Sequence, residues 1–201
     1  MVLYGFGSPS RATRVAWALE EAGADWSYVA TRPRDPDLLA RHPFGKLPVL
    51  EDQGHVFSES LACCTYVADR FPQAGLAPEP RTAERAMYLQ WCAFAVSELE
   101  QPLWTKAKHR FHHPEALRAE VGPAVTAEFS RAVEYLAKRL GTRTTLVGDQ
   151  FTCADILVVH TLGWAQGARM GDLIPENVRA YAALHRERSA FARANARESG
   201  Q

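Results

Sequence analysis

The sequence predicts an α/β domain at its N-terminal end and an all-α helical domain after it. Three observations carry this. Strand-like and helix-like patterns alternate from Val2 to Phe71, in the order β-α-β and then β-β-α. "PQAGLAPEP" (72–80) then interrupts with three prolines and a glycine. Every patterned segment after it has helical spacing. The expected divisions are residues 1–73, a linker at 74–82, and a helical part at 83–201.

"VLYGF" (2–6) is short and apolar-aromatic, and no basic leader precedes it, so it reads as a first strand and not as a signal peptide. "SRATRVAWALEEAG" sets Val15, Leu19 and Ala22 on one helical face with Arg14, Glu20 and Glu21 off it, and Gly23 stops the helix. "WSYVATR" (26–32) reads as a second strand, and the polar, Pro-rich passage to Phe44 as irregular. "PVLED" and "HVFSE" flank Gln53-Gly54, a hairpin signal. "SLACCTYVADRF" (60–71) reads as a helix with Leu61, Cys64, Val67, Ala68 and Phe71 inward.

In the second part, "TAERAMYLQWCAFAVSELEQPLW" reads as one long helix, and "HPEALRAEVGPAVTAEFSRAVEYLAKRL" as one or two more. "FTCADILVVHTLGWAQGARM" is apolar nearly all round and should be buried. Thr152 and Asp155 are spaced as a capping box at its start, with Phe151 and Ile156 placed as a staple. "ENVRAYAALHRERSAFARANA" reads as one terminal amphipathic helix.

Lys and Arg number 23, as do Asp and Glu, so the formal net charge is zero. That argues against a nucleic-acid groove or a polybasic membrane patch. No apolar run approaches the roughly 20 residues that span a bilayer. Cys63, Cys64, Cys92 and Cys153 form no C-x-x-C pair and read as buried thiols of a reducing, cytoplasmic protein. His109, His112 and His113 have helical spacing, but no Cys or acid completes a metal shell and Pro114 ends the run, so no metal is expected.

The chemistry concentrates in "HPFGKLPVLEDQGHVFSES" (42–60). Pro48 stands at the mouth of a strand, where it removes a ladder donor. A cis Leu47–Pro48 bond would leave the Leu47 N–H and C=O facing outward, open to a short extended peptide that docks as an extra strand. Ser60 reads as the N-cap of the helix that follows, and helix N-termini hold carboxylates. Glu59 would meet an ammonium group, and Lys46 a second carboxylate at the ligand's other end. The two grips lie one hairpin apart, a span that suits a tripeptide.

These segments resemble the glutathione S-transferase family, in particular its serine-using bacterial members. "HPFGKLPVLED…VFSES" is similar to the family's glutathione-binding segment, "SRATRVAWALEEAG" to its first helix, and "DQFTCADI" to the capping-box motif of its helical domain. The resemblance implies a thioredoxin-like first domain, an all-helical second domain and a homodimer. It implies glutathione as co-substrate, held by Lys46, Leu47, Pro48, Glu59 and Ser60, and conjugation to a hydrophobic electrophile in detoxification. A hydroxyl in "GSPSR" would stabilise the thiolate: Ser10 counting back from the first helix, Ser8 counting forward from the strand. Arg11 would add positive potential there, and Trp104 and Phe111 are candidate walls of the electrophile pocket. The alternatives are a glutathione-dependent peroxidase or isomerase, or a non-catalytic glutathione-binding or scaffold protein of the same fold.

Overall fold

The computed structural model describes residues 1–200. Four strands form one mixed sheet in the order β2-β1-β3-β4: β1 (Val2–Gly5), β2 (Ser27–Ala30), β3 (Val49–Asp52) and β4 (His55–Ser58). β1 pairs parallel with β2 and antiparallel with β3, and β3 pairs antiparallel with β4. Gln53 and Gly54 both take positive φ, 50° and 79°, which is what a two-residue hairpin turn of matching twist demands. Leu3 and Leu50 sit opposite each other in register and are fully buried.

Two helices join the sheet to the main core, α1 (Arg11–Glu21) and α3 (Ser60–Arg70). With the mixed sheet they make the thioredoxin-like domain that the resemblance implied. A third, α2 (Pro36–Arg41), lies in the passage expected to be irregular. It is a six-residue helix set by Asp35, whose side chain accepts the Asp37 N–H, with Pro36 at its first position. The helical spacing put Arg14 off the apolar face, yet Arg14 is fully buried. On α3 the buried residues are Ser60, Cys63, Cys64, Val67 and Ala68, while Leu61 turns toward a cleft.

The rest is helical. α4 (Ala83–Phe94) and α5 (Glu100–Ala107) are joined by a π-turn at Ala95–Leu99, and a second π-turn follows at Lys108–His112. The first lies where Pro102 has no N–H to offer the preceding turn. α6 (Gly122–Leu140) packs against α5, and α7 (Cys153–Gly167) is the central helix, touching α1, α3, α4 and α5, with Cys153–Leu162 all buried. The terminal segment is two helices where one was expected: α8 (Glu176–Arg186) and α9 (Ser189–Glu198). The chain bends at Arg188, whose backbone is extended and whose guanidinium donates to both Glu21 oxygens at 2.6 and 2.8 Å. That bend lays α9 against α1. No helix among the described residues is long and apolar enough to cross a membrane.

Candidate active site

The loop from Gly7 to Ser10 leads into α1. Ser10 is its N-cap, with extended backbone, and its Oγ accepts the Ala12 N–H at 3.2 Å. Thr13 closes the box by accepting the Ser10 N–H at 3.1 Å, and donates its own hydroxyl to Glu198 Oε2 at 2.5 Å. Ser8 donates to Asn195 Oδ1 at 2.5 Å. The two candidate hydroxyls therefore differ. The Ser8 proton is engaged by α9, while the Ser10 proton makes no bond among the described residues.

A cleft of about 390 Å³ opens beside this loop. Arg11, Lys46, Leu47, Pro48, Glu59 and Ser60 all line it, so the structure brings together every sequence-predicted ligand residue. Ser8 and Ser10 are not among its walls; Arg11, next to Ser10, is. The Leu47–Pro48 bond is cis, as expected. Among the described residues neither the Leu47 N–H nor its C=O makes a backbone hydrogen bond. Lys46 is exposed and has no ion-pair partner among the described residues, its ammonium resting 5.8 Å from the Phe44 ring centre.

Ser60 corrects one expectation. The N-cap of α3 is Glu59, and Ser60 is the first helical residue. Glu59 adopts φ 68°, a conformation that costs a non-glycine residue about 1 kcal/mol or more and that concentrates at ligand clamps. The Ser60 hydroxyl is set by Arg14, which donates to its oxygen at 3.2 Å and so leaves the hydroxyl proton to point elsewhere.

Arg14 is the centre of a buried network that no local motif announced. Its Nε donates to His160 Nδ1 at 3.0 Å, and its remaining nitrogens reach Ser60, Glu100 and Thr161. One side chain thus ties α1 to α3, α5 and α7. Burial alone would raise the Glu100 carboxyl, but the charges of Arg14 and Arg11 outweigh it and hold that carboxyl below its ordinary range. Burial, then the Arg14 charge, pushes His160 well below the ordinary histidine value, so it is the neutral acceptor in this pair. Arg11 donates to Glu100 at 2.7 Å, and its guanidinium lies between Trp104 and Trp164, 4.8 Å from each ring centre. Two arginines against the Glu100 carboxylate add positive charge beside the start of α1, and the helix has no acid of its own in its first turn, although Glu198 of α9 sets its carboxyl against Thr13 there.

Sequence reasoning missed His42, Arg14 and Glu100, all of which line the cleft. Only His42 had a usable signal, its place four residues before Lys46. Trp104 and Phe111 fall in different cavities, Trp104 in this cleft and Phe111 in a second one. The chain's own thiols are unsuited to nucleophilic work. All four are buried and unpaired, and burial lifts Cys63 and, to about 12, Cys92. No group of three or more His, Cys, Asp or Glu gathers as a metal site among the described residues.

The glutathione S-transferase N-terminal domain model matches residues 1–69, and the C-terminal domain model matches residues 97–186. Glutathione S-transferase 4 of Zea mays is 31% identical over 86% of this chain and 82% of its own length. Elongation factor 1-gamma of Rattus norvegicus is 32% identical over 81% of this chain, which spans only 38% of that protein. Among solved structures, a sphingomonad glutathione S-transferase complexed with glutathione superposes with a TM-score of 0.88 at 26% identity, covering 99% of both chains.

Proposed function

The chain belongs to the glutathione S-transferase family, and on that premise we propose that it conjugates the thiolate of glutathione to a hydrophobic electrophile. Residues 1–73 form the glutathione-binding domain in this reading, 74–82 the linker, and residues 83–201 supply the electrophile pocket. The assembly is a cytoplasmic homodimer, as the family resemblance implies. The observation that carries the proposal is the convergence of Lys46, Leu47, Pro48, Glu59 and Ser60 on one cleft.

Each group has a chemical task. The Leu47 N–H and C=O pair with the cysteinyl backbone as a strand would. Glu59 takes the ammonium of the γ-glutamyl head, and the Ser60 hydroxyl and the start of α3 take its carboxylate. Lys46 takes the glycyl carboxylate. Ser10 donates its hydroxyl proton to the cysteinyl sulfur. A free thiol near pKa 8.5 is mostly protonated at neutral pH, so this bond and the positive start of α1 shift it toward the reactive thiolate. Arg11, paired with Glu100 and lying over two indole rings, adds positive field near the sulfur. The sulfur then attacks an electrophilic carbon beside Pro9.

The test is the thiolate absorbance of bound glutathione as a function of pH. A depressed thiol pKa that Ser10→Ala raises again, and Ser8→Ala leaves alone, supports the enzyme. The match to elongation factor 1-gamma favours a second reading, a non-catalytic domain of the same fold. Glutathione binding with an ordinary thiol pKa would select that reading. Absence of binding would remove both.

A further inference from the structure

The serine loop borders a second cavity, of about 340 Å³, at Pro9. Ser10 therefore stands in the chain between a residue of each cavity, Pro9 of this one and Arg11 of the cleft. Leu103, Phe111 and Trp164 form apolar walls here. Gly163 and Gly167, one turn apart on α7, also line it; a Cβ on Gly167 would meet nothing within 4 Å, whereas one on Gly163 would come within 3.3 Å of the Arg186 guanidinium, so the wall is bare backbone beside open space at Gly167. A flat ring fits against such a wall.

The same cavity carries two cations, Lys106 and Arg110. Lys106 donates to a neutral partner, the Ala168 carbonyl, at 2.8 Å. Arg110 lies over the Phe111 ring, 4.9 Å from its centre. Neither has a carboxylate partner among the described residues. No acid occurs between Glu100 and Glu115, a stretch that also holds Lys108. Cations beside apolar walls, without counter-ions, favour a ligand that brings its own anion.

Resting on the reading above, we propose that this cavity selects an electrophile with a flat apolar body and a carboxylate or sulfonate, the anion meeting Lys106 and Arg110. The step itself is ordinary substitution. The cysteinyl thiolate, its proton already lost to solvent, forms a C–S bond to an activated ring carbon, and the leaving group departs with its electron pair as halide.

The experiment compares a chloronitrobenzoate with its matched chloronitrobenzamide, which share ring and leaving group and differ in charge. The expected result is a KM for the benzoate about fivefold below that of the amide, the worth of one partly exposed charge pair of about 1 kcal/mol. The preference should fall toward unity in a Lys106→Gln/Arg110→Gln variant, and part of the way in Arg110→Gln alone, which changes only an exposed side chain. Equal KM values in the unaltered protein, or a preference that survives in the double variant, would overturn the proposal. Calorimetric binding of the two compounds in the presence of unreactive S-methylglutathione reads the same preference without turnover. A charge preference there with no conjugation of either compound would defeat the transferase reading and leave the pocket assignment standing. Conjugation without a charge preference would do the reverse.

Discussion

Helices α7 and α1 both begin on a hydroxyl side chain boxed with the residue three positions on, but only the α7 box is closed on all sides. There the Asp155 carboxylate accepts the Thr152 N–H and O–H, the Leu146 N–H and the Tyr181 hydroxyl, at 2.7 to 3.0 Å. In the α1 box the partner is an uncharged Thr13, which hands its hydroxyl to Glu198. Among the described residues Glu198 Oε1 has no partner and the Ser10 hydroxyl proton is unspent. The buried core thus saturates its helix start, while the helix start beside the cleft keeps bonding capacity in reserve. The same local motif is spent on folding in one place and, in the proposed function, left to serve a ligand in the other.

The comparison breaks most visibly at Asp155. Asp155→Ala strands two buried backbone donors and a tyrosine hydroxyl, and should cost about 3–5 kcal/mol in chemical denaturation. Ser10→Ala should reverse the balance. Its stability cost is only about 1 kcal/mol, that of a lost cap. Its conjugation rate, kcat/KM, should fall about a hundredfold in steady-state assays. A stability loss at Ser10 as large as at Asp155, with activity retained, would make the two boxes equivalent.

Glu198 sharpens the contrast through pH. Burial lifts its carboxyl from an ordinary 4.5 to about 7, against the opposing bond from Thr13. The folded chain therefore holds this proton more tightly than the unfolded chain does. Its contribution to stability is complete below about 4.5 and is lost as pH rises to about 7. Glu198→Gln should remove that dependence and gain about 1–3 kcal/mol relative to the parent above neutrality, read as denaturation midpoints across the pH range. The smallest effect belongs to Ser8→Ala, about 0.5–1 kcal/mol of stability from the lost Asn195 bond, with the thiol pKa of bound glutathione unmoved.

The cleft was legible because the residues proposed to hold its ligand are neighbours in sequence. Lys46 to Pro48 and Glu59-Ser60 bracket one hairpin, so a short string of residues already implied their meeting. The network that anchors them was not. Arg14 reaches Glu100 and His160, 86 and 146 residues away, and a helical wheel assigns an arginine to solvent when nothing local argues otherwise. The fold shows the same division. Strands and long helices followed from periodicity, but α2 is too short to carry one, and the bend between α8 and α9 depends on Glu21, in another helix entirely. The second cavity was hidden for the same reason, since Pro9, Phe111 and Trp164 meet only after the helices pack.

The stacking of Arg11 between Trp104 and Trp164 has an optical consequence. Trp17, Trp26 and Trp91 are at most 5% exposed and emit from a constant interior. The two half-buried indoles each look into a different cavity, with a shared cation between them. The molecule therefore carries a native fluorophore on each side of its serine loop. Occupancy of either side can be followed by intrinsic emission, and Trp104→Phe and Trp164→Phe would separate the two signals without any attached dye.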